Sequence, residues 1–238
     1  DFIKIPILKL VDQAYLKERS KAISKIKTMG RVKPGLKTAN AAPPFPPGIN
    51  QEGTSTTHMS IIDANGNVVS MTSSIESRFG SRLMTNGFLL NNQLTDFSFA
   101  PLVNGKVIAN RAEPLKRPRS SMSPTLVFGP NGKFILAIGS PGGSRIISYV
   151  TKTLIAVLDW KMSLESAINS PNFANVNGQT DLEKGTALEL IKPALESMGH
   201  NIRIRPMTSG LHGIKRTKSS FVGAADKRRE GVVKYIRN

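Results

Sequence analysis

The stretch that decides the fold is Gly53-Thr54-Ser55-Thr56-Thr57-His58-Met59-Ser60, in which four consecutive hydroxyl residues precede a pattern typical of a β-strand. Such a run is compatible with a turn that simply enters an edge strand. It is also compatible with cleavage before Thr56, which would free an α-amine on the residue that carries the hydroxyl. That amine titrates at about pH 8 and can accept the hydroxyl proton, so an N-terminal threonine carries its own base. These residues alone leave both interpretations open.

On the N-terminal side of this stretch, the sequence predicts a helix followed by a linker. Apolar residues at helical spacing between residues 10 and 26 predict an amphipathic helix that ends at Gly30. Residues 31–55 contain five prolines and are predicted to be an irregular linker that is accessible to chain cleavage.

On the C-terminal side, the pattern changes to strands and then to helices. Residues 58–63 and 68–75 flank Asn65-Gly66 and predict a hairpin, and a second hairpin is predicted for residues 125–128 and 133–138. Residues 79–122 have more the character of loop than of core. Helices are predicted at residues 146–158, 163–169 and 186–198, the last with a capping box of Thr186 and Glu189, and strands at residues 202–204 and 221–222.

The segment Gly139-Ser140-Pro141-Gly142-Gly143-Ser144 joins a predicted strand to a predicted helix. A glycine pair at this junction can leave backbone N–H groups exposed at the positive end of a helix, where they suit a carboxylate, a phosphate or a developing oxyanion. A tight turn that needs glycine for its backbone angles would have the same sequence.

Composition excludes several functional classes. The absence of cysteine excludes disulfides, thiolate catalysis and cysteine-based zinc sites. His200 and His212 lack metal-ligand spacing, so no metal or other cofactor is predicted. The net charge of +17 is unusual, but its lysines and arginines are dispersed without a nucleic-acid-binding motif, which favours a solvated basic surface over nucleic-acid binding. No apolar run approaches the roughly 18 residues that span a membrane.

Four separate motifs, in order, resemble the gamma-glutamyltransferase (gamma-glutamyltranspeptidase) family. They are Thr56-Thr57-His58-Met59-Ser60, residues 87–98 (GFLLNNQLTDFS), residues 116–124 (KRPRSSMSP) and Gly139-Ser140-Pro141-Gly142-Gly143-Ser144-Arg145. Arg228-Arg229-Glu230-Gly231 resembles the tail of the same family. The resemblance extends from about residue 10 to the C-terminus.

The resemblance implies an α+β fold, the αββα sandwich of N-terminal-nucleophile hydrolases, here incomplete. Thr56 would be both the self-processing residue and the nucleophile. Residues 1–55 would be the tail of a large subunit and residues 56–238 the whole small subunit. The missing first part of the large subunit would supply a sheet layer and an arginine for the substrate carboxylate. A bacterial source would imply a periplasmic or secreted location.

The same resemblance assigns the site residues. Gly142 and Gly143 match an oxyanion hole, and Ser120 and Ser121 match hydroxyls that bind the substrate α-carboxylate. The α-amino group would be held by Gln93, as a neutral acceptor, and by Asp96. Ser74 stands where the family often has a second threonine near the nucleophile, and Glu76 stands where many members have asparagine. His58 is not assigned as a base, because no carboxylate partner is evident and the threonine carries its own base.

The expected activity is cleavage of the gamma-glutamyl amide of glutathione or a related compound, with transfer of the acyl group to water or to an amino acid or peptide. Two alternatives remain, a glutaryl acylase of the same fold and a non-catalytic relative. Glu76 and Asp96 would place two carboxylates around one substrate ammonium, so we expect gamma-glutamyl amides to be preferred over glutaryl amides.

Overall fold

The computed structural model describes residues 5–33, 35 and 55–236, in which helices and strands are mixed along the chain. The helices are α1 (Ile7–Leu10), α2 (Gln13–Ser20), α3 (Ile146–Leu158), α4 (Leu164–Asn169) and α5 (Lys192–Ser197). The strands are β1 (Thr56–Ile62), β2 (Val68–Ser74), β3 (Met84–Thr85), β4 (Phe88–Leu89), β5 (Leu102–Val103), β6 (Lys106–Val107), β7 (Thr125–Phe128), β8 (Phe134–Gly139), β9 (Phe173–Asn175), β10 (Thr180–Glu183), β11 (Ile202–Arg205), β12 (His212–Arg216) and β13 (Phe221–Ala225). The α+β class predicted from the sequence is confirmed.

A four-stranded antiparallel sheet in the order β13–β12–β8–β7 forms the centre of the fold. The antiparallel hairpin β1–β2 lies against one face of this sheet, where Ser70 Oγ donates a hydrogen bond of 3.2 Å to the carbonyl oxygen of Ile138. His58 also packs there, since a Cβ at Gly139 would come within 2.2 Å of the imidazole ring. Both hairpins predicted from the sequence are present.

Helices α3 and α4 cover the opposite face of the central sheet. Leu136 and Ile138 of β8 form the main buried cluster together with Tyr149 of α3 and Ile168 of α4, and each is at most 2% exposed. The sequence prediction of α3 is confirmed, and α4 begins after Ser163, whose side chain accepts a hydrogen bond from the backbone N–H of Ser166. Helices, sheet and hairpin thus form three successive layers of the predicted four-layer sandwich.

The hairpin β1–β2 turns its polar side chains inward over most of its length. Thr56 and His58 are buried, while Met59, Ile61, Val69 and Met71, on the outer face, are 39–51% exposed. This orientation is the reverse of what an outermost strand pair normally shows, because apolar side chains usually face the core.

A second sheet, in the order β11–β10–β9, has a parallel pair, β10–β11, next to an antiparallel pair, β10–β9. Strand β10 is fully buried although it contains Asp181 and Glu183. Arg203 donates to Asp181 at 2.7 Å, and Arg228 donates to Glu183. The sequence predicted β11 but neither β9 nor β10.

The predicted helix over residues 10–26 is wrong in extent. Helix α1 and helix α2 are separated at Asp12, whose side chain caps α2, and neither has a buried residue. The rest of the segment follows the surface, where the N–H of Thr28 donates to the carbonyl oxygen of Met198. Most of the predicted linker, residues 31–55, lies outside the described residues. No helix in the described ranges is long and apolar enough to cross a membrane.

The predicted helix over residues 186–198 is divided in two. A 3₁₀ turn, Ala187–Ile191, precedes α5, which has Pro193 in its first turn, because proline is tolerated at the start of a helix and not within it. The capping box is also altered, since Glu189 accepts from the N–H of Gly185 instead of that of Thr186. Gly199 ends the helix with a φ of +87°, as expected.

Candidate active site

The first residue of β1 and the last residue of β2 meet at the open end of the hairpin. Thr56 pairs with Ser74 in the strand register, and their side-chain oxygens are 3.0 Å apart. Ser74 Oγ also donates to the carbonyl oxygen of Ser55 at 3.3 Å and accepts from the N–H of Glu76 at 3.0 Å. Ser74 has one hydroxyl proton, so when Ser74 donates it to Ser55 the proton between the two side chains comes from Thr56.

The peptide bond between Ser55 and Thr56 is held firmly by these strands. The carbonyl oxygen of Ser55 accepts from the N–H of Ile75 at 3.1 Å as well as from Ser74, and the N–H of Ser55 donates to the carbonyl oxygen of Glu76. Two donors on one carbonyl oxygen polarise the carbonyl group and would stabilise negative charge on that oxygen.

The turn between β8 and α3 presents the glycine pair. Gly142 has a φ of +140°, and a Cβ there would lie 2.6 Å from the Tyr149 ring, while Gly143 has a φ of +59°. Within the described part of the chain, neither glycine N–H donates a hydrogen bond. The turn therefore needs glycine for its backbone angles and also leaves two N–H groups available, so both interpretations of the sequence apply.

Three residues with acidic or amide side chains line one end of the neighbouring cleft. Glu76 is only 4% exposed, has a φ of +69°, and accepts hydrogen bonds from Ser77 Oγ at 2.6 Å and from Asn92 Nδ2 at 2.8 Å. Gln93 and Asp96 lie in a 3₁₀ turn, and Gln93 Nε2 donates to Asp96 Oδ2. Gln93 thus holds Asp96 through its amide N–H, while its amide oxygen can still accept a hydrogen bond, so its expected role as a neutral acceptor stays a prediction.

Two serines and an arginine line the cleft elsewhere. Ser121 Oγ donates to the carbonyl oxygen of Gly143 at 2.8 Å, and Ser120 Oγ accepts from the N–H of Met122 at 3.1 Å. Arg119 adds a positive charge to the same wall. The hydrogen bond from Ser121 connects this wall directly to the glycine turn.

These residues surround one cavity of about 240 Å³. Eight of the nine residues predicted as site residues line it, and Gly142, the ninth, is adjacent to its lining residue Gly143. Five further residues, which the sequence did not indicate as site residues, also line it: Arg119, Met122, Ser144, Ile146 and Ile147. Arg119, Met122 and Ser144 are part of the sequence motifs, so motif membership was a signal that could have identified them.

His58 lies close to Thr56 in the strand but has no contact with the cavity. Its Nδ1 lies 2.8 Å from Thr72 Oγ1 and its Nε2 lies 3.1 Å from Ser60 Oγ. Burial lowers the pKa of His58 to about 4, with a further contribution from His212. A neutral imidazole with both nitrogens engaged belongs to the packing between hairpin and sheet.

Comparison with known proteins identifies a matching family. The family model of gamma-glutamyltranspeptidase matches residues 1–236. The glutathione hydrolase proenzyme of Bacillus subtilis is 35% identical over 243 residues, which cover 97% of this chain and 40% of that protein. The chain therefore spans about 40% of the length of this curated relative.

Solved structures show the same similarity in three dimensions. A mutant gamma-glutamyltranspeptidase of Helicobacter pylori is 39% identical with a TM-score of 0.64, and the match covers 73% of this chain and all of that chain. A cephalosporin acylase from Bacillus halodurans has a TM-score of 0.79 over 99% of this chain and 40% of its own, at 22% identity. The second likeness concerns the fold alone.

Proposed function

Because the chain belongs to the gamma-glutamyltranspeptidase family, we propose that it is the C-terminal part of a precursor that cuts itself between Ser55 and Thr56 and then cleaves gamma-glutamyl amides. The observation that carries the proposal is the contact of Thr56 Oγ1 with Ser74 Oγ, beside a Ser55 carbonyl oxygen that accepts two hydrogen bonds. The solved Helicobacter pylori chain matches this chain over its whole length but covers only 73% of it. This difference supports a cleavage boundary inside the sequence.

Self-cleavage follows from this geometry in two steps. Thr56 Oγ1 attacks the carbonyl carbon of Ser55 and gives its proton to Ser74 Oγ, which relays it to the Thr56 nitrogen, while Ile75 N–H and Ser74 Oγ stabilise the oxyanion. The C–N bond then breaks, the Thr56 nitrogen takes a proton, and the acyl group remains on Oγ1 as an ester. Water hydrolyses that ester, which leaves a carboxylate on Ser55 and a free α-amine on Thr56.

The freed threonine then acts on the substrate by the same chemistry. Its α-amine takes the Oγ1 proton as Oγ1 attacks the gamma-glutamyl carbonyl carbon. The N–H groups of Gly142 and Gly143 stabilise the oxyanion, and the amine returns the proton to the leaving nitrogen. The gamma-glutamyl ester is then cleaved by water or by the amino group of an acceptor amino acid or peptide.

The cleft favours a substrate that carries both a positive and a negative charge. Glu76 and Asp96 provide carboxylates for an α-ammonium, and Arg119, Ser120 and Ser121 provide groups suited to an α-carboxylate. Glutathione and other gamma-glutamyl compounds have both groups on the same carbon. The proposal therefore takes gamma-glutamyl amides as the substrate class.

Glutaryl amides are the second candidate, and one observation favours them. The Glu76 carboxylate already accepts hydrogen bonds from Ser77 and Asn92. It therefore stays hydrogen-bonded when the bound substrate has no ammonium group. The two classes differ by this one charged group, and matched substrates distinguish them.

Expression of the full-length protein tests the proposal. We expect two subunits, with Thr56 as the N-terminal residue of the smaller one, and release of aniline from a gamma-glutamyl anilide. Thr56→Ala should give one uncut, inactive chain, whereas the matched control Thr57→Ala, on the exposed face of β1, should still be cut. N-terminal sequencing and mass spectrometry measure the cleavage. Two subunits from Thr56→Ala would mean that another protease makes the cut.

A further inference from the structure

The side chain of Arg229, in the C-terminal segment, contacts the backbone carbonyl group of Thr56. Its Nη1 donates to the carbonyl oxygen of Thr56 at 3.4 Å and its Nε donates to the carbonyl oxygen of Thr208 at 3.1 Å. A Cβ on Gly210 would lie 2.8 Å from Arg229 Cδ and 2.7 Å from Pro141 Cγ. The side chain therefore runs through a slot beside the glycine turn, and this slot exists because residue 210 has no side chain.

The neighbouring Arg228 fixes the backbone from which Arg229 extends. Its guanidinium donates to Glu183 Oε2 at 2.8 Å, to Asp226 Oδ1 at 3.0 Å and to the carbonyl oxygen of Ser170 at 3.0 Å. Asp226 is 1% exposed, so this anchor is buried. The position of Arg229 relative to Thr56 is therefore set by the core and not by a loose tail.

From this arrangement we propose that Arg229 is a positioning residue that holds the nucleophile by its carbonyl oxygen and keeps the freed α-amine of Thr56 in its neutral, proton-accepting form. The proposal rests on the proposed function, because that amine exists only after the cut. By standard backbone dimensions, a group 3.4 Å from the carbonyl oxygen is within about 7 Å of the nitrogen of the same residue. A cation at that distance disfavours a second positive charge on the amine.

The other charged and titratable groups around Thr56 line two cavities. Glu76, Asp96 and Arg119 line the cleft, and a second cavity of about 490 Å³, which Thr56 also lines, includes His58, His212, Arg229, Glu230 and Lys234. The two carboxylates of the cleft favour a protonated amine, and Arg229 opposes them. Among the described residues, no carboxylate forms a salt bridge with Arg229. Burial lowers the pKa of His212, and the charge of Arg229 lowers it further.

The test is the pH dependence of kcat/KM in the complete two-subunit protein. Activity should fall at low pH as the Thr56 amine becomes protonated. In Arg229→Gln the midpoint of this acidic limb should rise by about 0.5 to 1 pH unit, as expected for loss of one partly screened charge at this distance. Arg229→Lys keeps the charge and should show less than half of that shift. The matched control Lys227→Gln removes one charge at an exposed position in the same segment. It should leave the midpoint of the acidic limb unchanged.

Each outcome supports or overturns the inference. If Arg229→Gln loses activity with an unchanged midpoint, or shifts no more than Lys227→Gln, the inference is overturned. If Arg229→Gln is not cut, the two subunits are expressed as separate chains, with Thr56 as the N-terminal residue of the smaller one. The pH dependence of kcat/KM is then measured on this protein. The proposed function fails separately, when the wild-type protein neither cuts itself nor releases aniline from a gamma-glutamyl anilide.

Discussion

Glu76 and Asp96 line the same cleft but are held by different neighbours. The Glu76 carboxylate is buried and accepts from Ser77 and Asn92, whereas Asp96 lies on a 3₁₀ turn and accepts from Gln93. Two carboxylates that line one ligand site favour a bound cation. Since the Glu76 carboxylate is buried and accepts from two neutral donors, we expect the substrate ammonium to depend more on Asp96.

Substitution of these two residues should change substrate preference to different extents. We expect the wild-type protein to prefer gamma-glutamyl over glutaryl anilides by about tenfold or more, which corresponds to about 1.4 kcal/mol of retained pairing. Asp96→Ala should remove most of this preference and Glu76→Asn a smaller part. The measurement is kcat/KM for both anilides with the complete heterodimer. Equal values for the wild-type protein, or a glutaryl preference, would place it with the acylases.

At the scale of elements, the turn before α3 has no room for a side chain at Gly142. Its φ of +140° disfavours any other residue, and a Cβ would lie 2.6 Å from the Tyr149 ring. Gly142→Ala should displace the N–H groups and lower kcat/KM by about 10² to 10³-fold, the usual cost of losing an oxyanion donor. Gly178→Ala is the control, because a Cβ there meets nothing within 4 Å. Wild-type kinetics in Gly142→Ala would remove the turn from the mechanism.

The elements that the sequence predicted are those with local signals. Asn65-Gly66 fixes the turn of the first hairpin, and the apolar run of α3 requires burial. Strand β10 was missed because Thr180-Asp181-Leu182-Glu183 places two carboxylates in four buried residues. They are tolerated there only because arginines from distant parts of the chain pair with them, and no local pattern contains that information.

The candidate site, like the fold, could be predicted from the sequence only in part. Four motifs separated by long intervals identified residues that line one cavity. In contrast, the hydrogen bonds from Asn92 to Glu76 and from Arg229 to Thr56 depend on how the segments pack against each other. The early helix prediction failed for a related reason, since its apolar residues are exposed and have no partner surface in the described structure to bury them.

At the scale of the whole molecule, the hairpin β1–β2 has an apolar face that none of the described residues covers. Met59, Ile61, Val69 and Met71 form this outer face, while hydroxyl groups and His58 face the central sheet. An outward apolar face on a strand pair is typical of a sheet that is covered by a further layer. The remainder of the large subunit is the partner that we expect to cover it.

The polar layer between hairpin and sheet should make stability depend on pH. The pKa of His58 is lowered to about 4 in the folded protein from 6.5, so below pH 6.5 the unfolded chain binds a proton that the folded chain excludes. The free energy of unfolding should therefore fall as the pH falls, by about 2 kcal/mol from this residue between about pH 7 and pH 5.

Urea unfolding at both pH values measures this loss. His58→Asn should be less stable at either pH but should lose about 2 kcal/mol less on acidification. The control His200→Asn, in the turn between α5 and β11, should lose as much as the wild-type protein. An equal loss in His58→Asn would mean that other groups cause the acid sensitivity.

The position of Thr56 at the start of β1 affects what happens after the cut. A newly formed chain end normally frays, because its last residues regain the conformational entropy that the continuous chain had lost. Here seven consecutive residue pairs align β1 with β2, and the first of them is Thr56 with Ser74. After the proposed cut, the new terminus would begin in an already paired strand, so Thr56 would keep its orientation and gain freedom only at its α-amine.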